Sequence, residues 1–485
     1  MVFSDLFFLF VFLPAFAVSY LLGGWIDKLW SLKVSESRHS NITGTRNLVL
    51  IIFSLIFYAW GEPVYVFLML LCVVLNYLSG LAIHYANGGA RKFALAVGVA
   101  VNLLMLGTFK YLGFIVAQLE MFDIQLPVPQ IALPIGISFY TFQSLSYLVD
   151  VYRGEAPVQK RFLNLLLYIS MFPQLIAGPI VRYGTVAAEI GSRRVTAEDM
   201  AEGVYRFILG LGKKVILANQ LSEISDQFLS GSLSDLTTTG AWVGIVAFTL
   251  QIYFDFSGYS DMAIGLGRCM GFHFNENFRH PYCCNSITDF WRRWHISLGS
   301  FFRDYVYIPL GGNRSHQAIN ILVVWFLTGM WHGASWNFIL WGLYFGLIVM
   351  IEKYTLLKLK HVPTVMLHIY SLFLIVIGWG IFYFDDFDRM TMFFQVLWGD
   401  AALLHDFVTE SALLDNFWLW IVAALLCMPI RSGVRSLVER CCRRHPAFAN
   451  GLVMMGRTVL SLAILILSVA LLVGATNNAF IYTRF

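Results

Sequence analysis

Residues 319–352 read INILVVWFLTGMWHGASWNFILWGLYFGLIVMIE, an apolar run of more than thirty residues with Arg314 before it and Lys353 after it. One membrane span needs only ~20 apolar residues, so the run is either a long tilted helix or two shorter ones. Basic residues gather on the cytoplasmic side of short loops, and here they stand at both ends, which favours a turn near Gly329 to Gly333 and a return to the same face. His332 then lies deep in the membrane. An ionisable group there costs about 2.5–3.5 kcal/mol even on a lenient insertion scale, so His332 is the leading candidate for a functional role. A histidine hydrogen-bonded in the core is the plainer alternative. Trp331, Ser335, Trp336 and Asn337 around it make a polar and aromatic pocket, and Gly333 permits close backbone approach.

The rest of the chain agrees with a membrane setting. Of its 485 residues only 13% are charged, against about 25% in a soluble domain, and 58% are hydrophobic; mean hydropathy is +0.69. That much apolar surface cannot be hidden in one soluble core. The composition predicts an all-α polytopic membrane protein with about 11–12 transmembrane helices, re-entrant and interfacial helices, and a single membrane-embedded domain over 1–485. The net charge of +4 sits in inter-helix loops and implies no nucleic-acid partner. Seven cysteines include no C-x-x-C pair and no histidine at ligand spacing, so neither a metal site nor a disulfide framework is expected. The apolar start has no positive leader or cleavage site and reads as a retained first span.

Loop charge sets the topology. Lys28, Lys33, Arg38 and Arg46 place the first loop in the cytoplasm and the N-terminus outside; Gly61-Glu62-Pro63 makes an outward hairpin; Arg91 and Lys92 return inside. The loop with Glu120, Asp123, Pro127 and Pro129 belongs outside, and Arg153, Lys160 and Arg161 inside. Residues 162–216, broken by Pro173 and Gly178-Pro179, read as cytoplasmic-side re-entrant and interfacial helices. An acidic loop from Asp385 to Asp415 faces out and a basic one over 431–457 faces in, so the last span, 458–475, delivers the aromatic tail ending at residue 485 to the outer face.

Two further segments carry chemistry. Residues 288–314, TDFWRRWHISLGSFFRDYVYIPLGGNR, are too charged to span, yet Trp291, Trp294, Leu298, Phe301 and Tyr305 recur at helical spacing. The expectation is one interfacial helix whose opposite stripe gathers Arg292, His295, Gly299 and Arg303. Two guanidiniums, an imidazole and a gap suit a phosphorylated ligand; arginines meeting lipid headgroups are the alternative. Upstream, QIYFDFSGYSDMAIGLG sets Asp255 and Asp261 around Gly258, and with Ser257, Tyr259 and Ser260 adjacent these carboxylates read first as a satisfied structural network.

YFDFSGYSDMAIGLG (253–267), DFWRRWHISLGSFFRDYVYIPLGGNR (289–314) and TGMWHGASWNFILWG (328–342) resemble the signature blocks of the membrane-bound O-acyltransferase (MBOAT) family. LPIGISFYTFQSLSYLVDVYRG (133–154) and LIAGPIVRY (175–183) fit the same branch, that of bacterial alginate O-acetylase membrane subunits. The likeness covers most of residues 1–355 and is looser beyond; peptidoglycan and cellulose O-acetyltransferase subunits are similar too. The resemblance implies helices around a central channel in the bacterial inner membrane, with His332 the buried catalytic histidine and His295 the second of the pair. It also implies an acetyl donor arriving from the cytoplasm as acetyl-CoA or a similar thioester, with no bound cofactor, and an exported polysaccharide as recipient, alginate ahead of peptidoglycan and cellulose.

On that footing Arg292, Arg303 and Asn313 are donor-binding candidates, and His332 is a general base or, as the variant, a nucleophile. No G-x-S-x-G elbow or Ser-His-Asp set appears, which leaves the final transfer to a periplasmic partner of SGNH type or similar. The tail FIYTRF (480–485) resembles that of the small partner in teichoic-acid D-alanylation, making Tyr482 an acyl-relay candidate, with an aromatic anchor as the alternative. A transporter should show repeated halves, and none is visible; a non-catalytic scaffold of a secretion complex is the remaining class.

Overall fold

A computed structural model describes residues 2–33, 44–124, 126, 131–359, 361–441 and 446–475, and among them every regular element is helical. Arg38, Pro127, Pro129, Arg443, Arg444 and the tail with Tyr482 lie outside the described residues. The protein is an all-α polytopic membrane protein. Eight of the described helices are long and apolar enough to cross a bilayer, nine if the pair Phe407–Leu414 and Phe417–Leu426, bent by 59°, is one broken span. The sequence suggests eleven or twelve. The difference lies in apolar segments that fold as shorter helices, such as Ile137–Arg153 and Gln317–His332.

The contacts divide the chain into two compact units, one of Met1–Phe207 and Ser260–Asn275, the other of Ile208–Tyr259 and Glu276–Phe485. In the first, small residues let helices touch: a Cβ on Gly80 would meet the Tyr147 ring and one on Gly98 would meet Leu148. Asn76 and Asn102 exchange amide hydrogen bonds of 3.0 and 2.8 Å across their helices, satisfying each other where lipid offers no partner. Arg193, buried, donates to Tyr20, Asn47 and the Met270 carbonyl. Residues 162–191 break into Phe162–Ser170, Phe172–Leu175 and Tyr183–Gly191, none long enough to span.

In the second unit the 319–352 run turns as the flanking charges imply. Gln317–His332 and Trp336–Tyr354 form a hairpin, and at its base Lys353 Nζ donates 2.9 Å to Asn313 Oδ1, the residue before Arg314. The arms close because glycines face them: a Cβ on Gly329 would overlap the Phe338 carbonyl, and one on Gly342 the Trp325 carbonyl. Toward the C-terminus the acidic stretch is not plain loop. Asp386 and Asp406 accept the backbone N–H of Arg389 and Thr409 at 2.8 and 2.9 Å and start Phe387–Leu397 and Phe407–Leu414. Likewise the basic stretch contains the helix Ile430–Cys441, and the last helix, Pro446–Val473, begins well before residue 458. At about 1.5 Å per residue its 28 residues exceed a bilayer core, so Arg457 can lie within it and still reach an interface.

Candidate active site

The 288–314 segment is not one helix. It folds as Ile287–Arg293 and Ile296–Phe302 followed by a wide turn over Arg303–Tyr307, and His295 at the break has φ +44°. The cause is a neighbouring strip of chain. A continuous helix would bond the Ser297 N–H to the Arg293 carbonyl; instead Arg293 O accepts from Arg279 N at 2.9 Å, Ile296 N donates to Asn277 O at 3.0 Å, and Ser297 N donates to Asn277 Oδ1 at 3.2 Å. Periodicity is a local signal and carries no trace of residues 277–279. The common stripe therefore does not exist: His295 turns inward and is 2% exposed, whereas Arg292 and Arg303 stay on the surface, Arg303 paired with Asp304 at 2.6 Å. A bulky residue at positive φ is strained and is tolerated where the surroundings insist on it.

Those surroundings fix the imidazole's chemistry. Asn277 Oδ1 accepts from the Ser297 backbone and hydroxyl, so it is the oxygen that faces His295 Nδ1 at 3.1 Å, and Nδ1 carries the proton. Nε2 then holds the lone pair. Burial pushes the ring down to about 3, which leaves it neutral at physiological pH. Phe256 lies edge-on at 4.6 Å and Trp331 at 5.6 Å between ring centres.

His332 ends the first arm of the hairpin, 5% exposed, with Trp331 at 5.0 Å, Trp341 at 4.8 Å and Phe382 at 5.5 Å around its ring. Trp331 thus touches both histidines. Asn337 is buried and donates 3.2 Å to the Phe382 carbonyl; Ser335 starts the second arm, half-buried; Trp336 is 48% exposed. Asn313 Oδ1 collects Tyr307, Gln317 and Lys353 on an exposed turn, so Lys353 joins the cations at the base of the hairpin. A model of the membrane-bound O-acyltransferase family matches residues 52–393. The chain belongs to that family.

Its relatives say more about the branch. The chain is 42% identical over 421 residues to the probable alginate O-acetylase AlgI of Azotobacter vinelandii, covering 84% of this chain and 78% of that one. It is 35% identical over 338 residues to the peptidoglycan O-acetyltransferase of Helicobacter pylori strain 26695, 63% and 64% of the two chains. With the teichoic acid D-alanyltransferase of Bacillus subtilis strain 168 it shares 28% over 229 residues, 44% and 58%. The protein is an acyltransferase.

Several residues around the two histidines escaped the sequence reading. Asn277 sits in an irregular stretch with no pattern to mark it. Trp341 and Phe382 look like any apolar residue of a span. Glu352, fully buried, accepts the Ile287 and Thr288 N–H groups at 2.6 and 2.8 Å and so ties the hairpin's end to the helix that leads to His295. The two aspartates stand in ion pairs with more distant residues: Asp255 pairs with Lys214 at 2.7 Å, both buried, and Asp261 with Arg206 at 2.8 Å. Gly258 allows the approach, since a Cβ there would stand 2.8 Å from the Gly210 carbonyl oxygen.

Proposed function

We propose that this acyltransferase takes acetyl from a cytoplasmic thioester, acetyl-CoA or a close relative, and passes it across the bacterial inner membrane for O-acetylation of an exported polysaccharide. Alginate stands ahead of peptidoglycan and cellulose, on the names of the relatives. The observation that carries this reading is a histidine held at the tip of a membrane hairpin among Trp331, Trp341 and Phe382. Acetyl-CoA cannot cross a bilayer, so its phosphates stay at the cytoplasmic mouth while the thioester reaches inward. His332 takes the proton of the attacking hydroxyl, and a neutral base is the cheaper choice in a medium that penalises charge. His295, fixed by Asn277, lines the same space through Trp331.

Inverted membrane vesicles test the direction. Acetyl-labelled acetyl-CoA added outside, the former cytoplasmic face, should label an acceptor that external esterase cannot reach. Labelling only when donor is enclosed in the lumen would reverse the assignment.

Arg292 and Arg303 are the first groups a CoA phosphate would meet. Charge-assisted hydrogen bonds contribute about 1.5–3 kcal/mol each, so Arg292→Glu and Arg303→Glu should each raise the donor KM roughly tenfold or more. Because the two stand apart rather than on one stripe, their effects should multiply. Unchanged KM in both would make them lipid-headgroup contacts.

The relay beyond the channel is assigned to Tyr482, whose phenol accepts acetyl and hands it to a periplasmic transferase of SGNH type. Tyr482→Phe keeps an aromatic anchor and removes the hydroxyl; polymer-bound acetate should disappear, and intact-mass analysis of the wild-type C-terminal peptide should find an added acetyl. Normal acetylation in the variant would reduce the tail to an anchor.

A further inference from the structure

The hairpin's second arm presents two buried polar atoms with no hydrogen-bond partner among the described residues. Trp341, 0% exposed, leaves its Nε1–H unbonded, and Asn337, 1% exposed, leaves its Oδ1 unbonded. They are one helical turn apart and share a face of Trp336–Tyr354. Both belong to the His332 cluster: the Trp341 ring packs on His332 at 4.8 Å and on Phe382 at 5.3 Å, and the Asn337 amide is held by the Phe382 carbonyl. Buried donors and acceptors are almost always paired, because leaving one unpaired costs its full desolvation. An indole can only donate. A lone donor beside a catalytic imidazole, with a lone acceptor next to it, is the arrangement a site needs when its bonding partner is the substrate.

We infer that the Trp341 indole N–H is a catalytic oxyanion donor, bonding the acetyl carbonyl oxygen as negative charge develops there. This rests on His332 being the base. An oxygen of the acceptor hydroxyl bonds to the thioester carbonyl carbon and its proton passes to His332; the carbonyl π pair moves onto oxygen, where Trp341 Nε1–H meets it. The pair then returns, the carbon–sulfur bond breaks, and the departing thiolate takes the proton back from His332, leaving a thiol and an ester. The His332 and Phe382 rings packed on the indole hold the donor in place before charge appears, which is what makes such a hydrogen bond effective.

The test replaces Trp341 by β-(3-benzothienyl)alanine, which swaps N–H for sulfur in a ring of nearly the same shape, alongside Trp341→Phe. Membranes carrying each full-length variant are supplied with acetyl-CoA, and kcat per mole of protein, donor KM and thermal unfolding in detergent are measured. The expected result is a kcat lower by about 100-fold, with KM within twofold and unfolding unchanged in the sulfur variant. A fall of less than tenfold overturns the inference, and should Trp341→Phe misfold, the sulfur variant still decides. His332→Ala in parallel separates the two claims: full activity there removes the base, whereas loss there with full activity in the sulfur variant removes only the oxyanion donor.

Discussion

His332→Ala should abolish acetylation of the exported polymer while the protein still inserts and purifies at the wild-type level. The base at the tip of the hairpin is the only group assigned to move the acceptor's proton, and general base catalysis contributes typically 10²–10⁴-fold. Packing should survive. The imidazole stands at the end of its helix, where Gly333 and Ser335 already break the ladder, and Trp341 and Phe382 also pack on each other. Polymer-bound acetate and membrane protein level, measured together, check the expectation. Wild-type acetate with the alanine variant would sink the assignment of His332 as the base.

The second large effect concerns stability. Lys214→Met should lower stability by about 3–5 kcal/mol, because it strands the Asp255 carboxylate in a buried apolar setting with its counter-charge gone. Asp255→Leu should do comparable damage by stranding Lys214. The double variant should be milder than either single one, since replacing a buried pair by apolar groups removes two desolvation penalties together with one attraction. Thermal unfolding of the four proteins in one detergent measures the cycle. Simple additivity would mean that the two charges are not coupled. The pair also has a functional side. Asp255 adjoins Phe256, whose ring packs on His295, so a singly substituted protein that still folds should lose activity through a displaced His295.

What the sequence determined by itself is whatever depends on composition and on local, short-range pattern. Apolar content named the membrane and the helix, because lipid leaves the backbone no other way to satisfy its hydrogen bonds. Two basic ends around one long apolar run named the hairpin, and an ionisable residue at its turn named His332, since charge in lipid is costly wherever the chain goes. Tertiary structure decided what depends on a distant partner. The 288–314 helix breaks at His295 because Asn277 and Arg279 capture backbone groups the helix would have used, and that capture turns one ring of a presumed surface stripe inward to the buried Trp331. Asp255 found a counter-charge in Lys214, more than forty residues away in the chain. Trp341 could be picked out only from its packing on His332 and the unbonded Asn337 Oδ1 one turn away. A hydrogen bond between residues far apart in the chain leaves no mark on the periodicity of either, so those choices could be seen only with the chain folded.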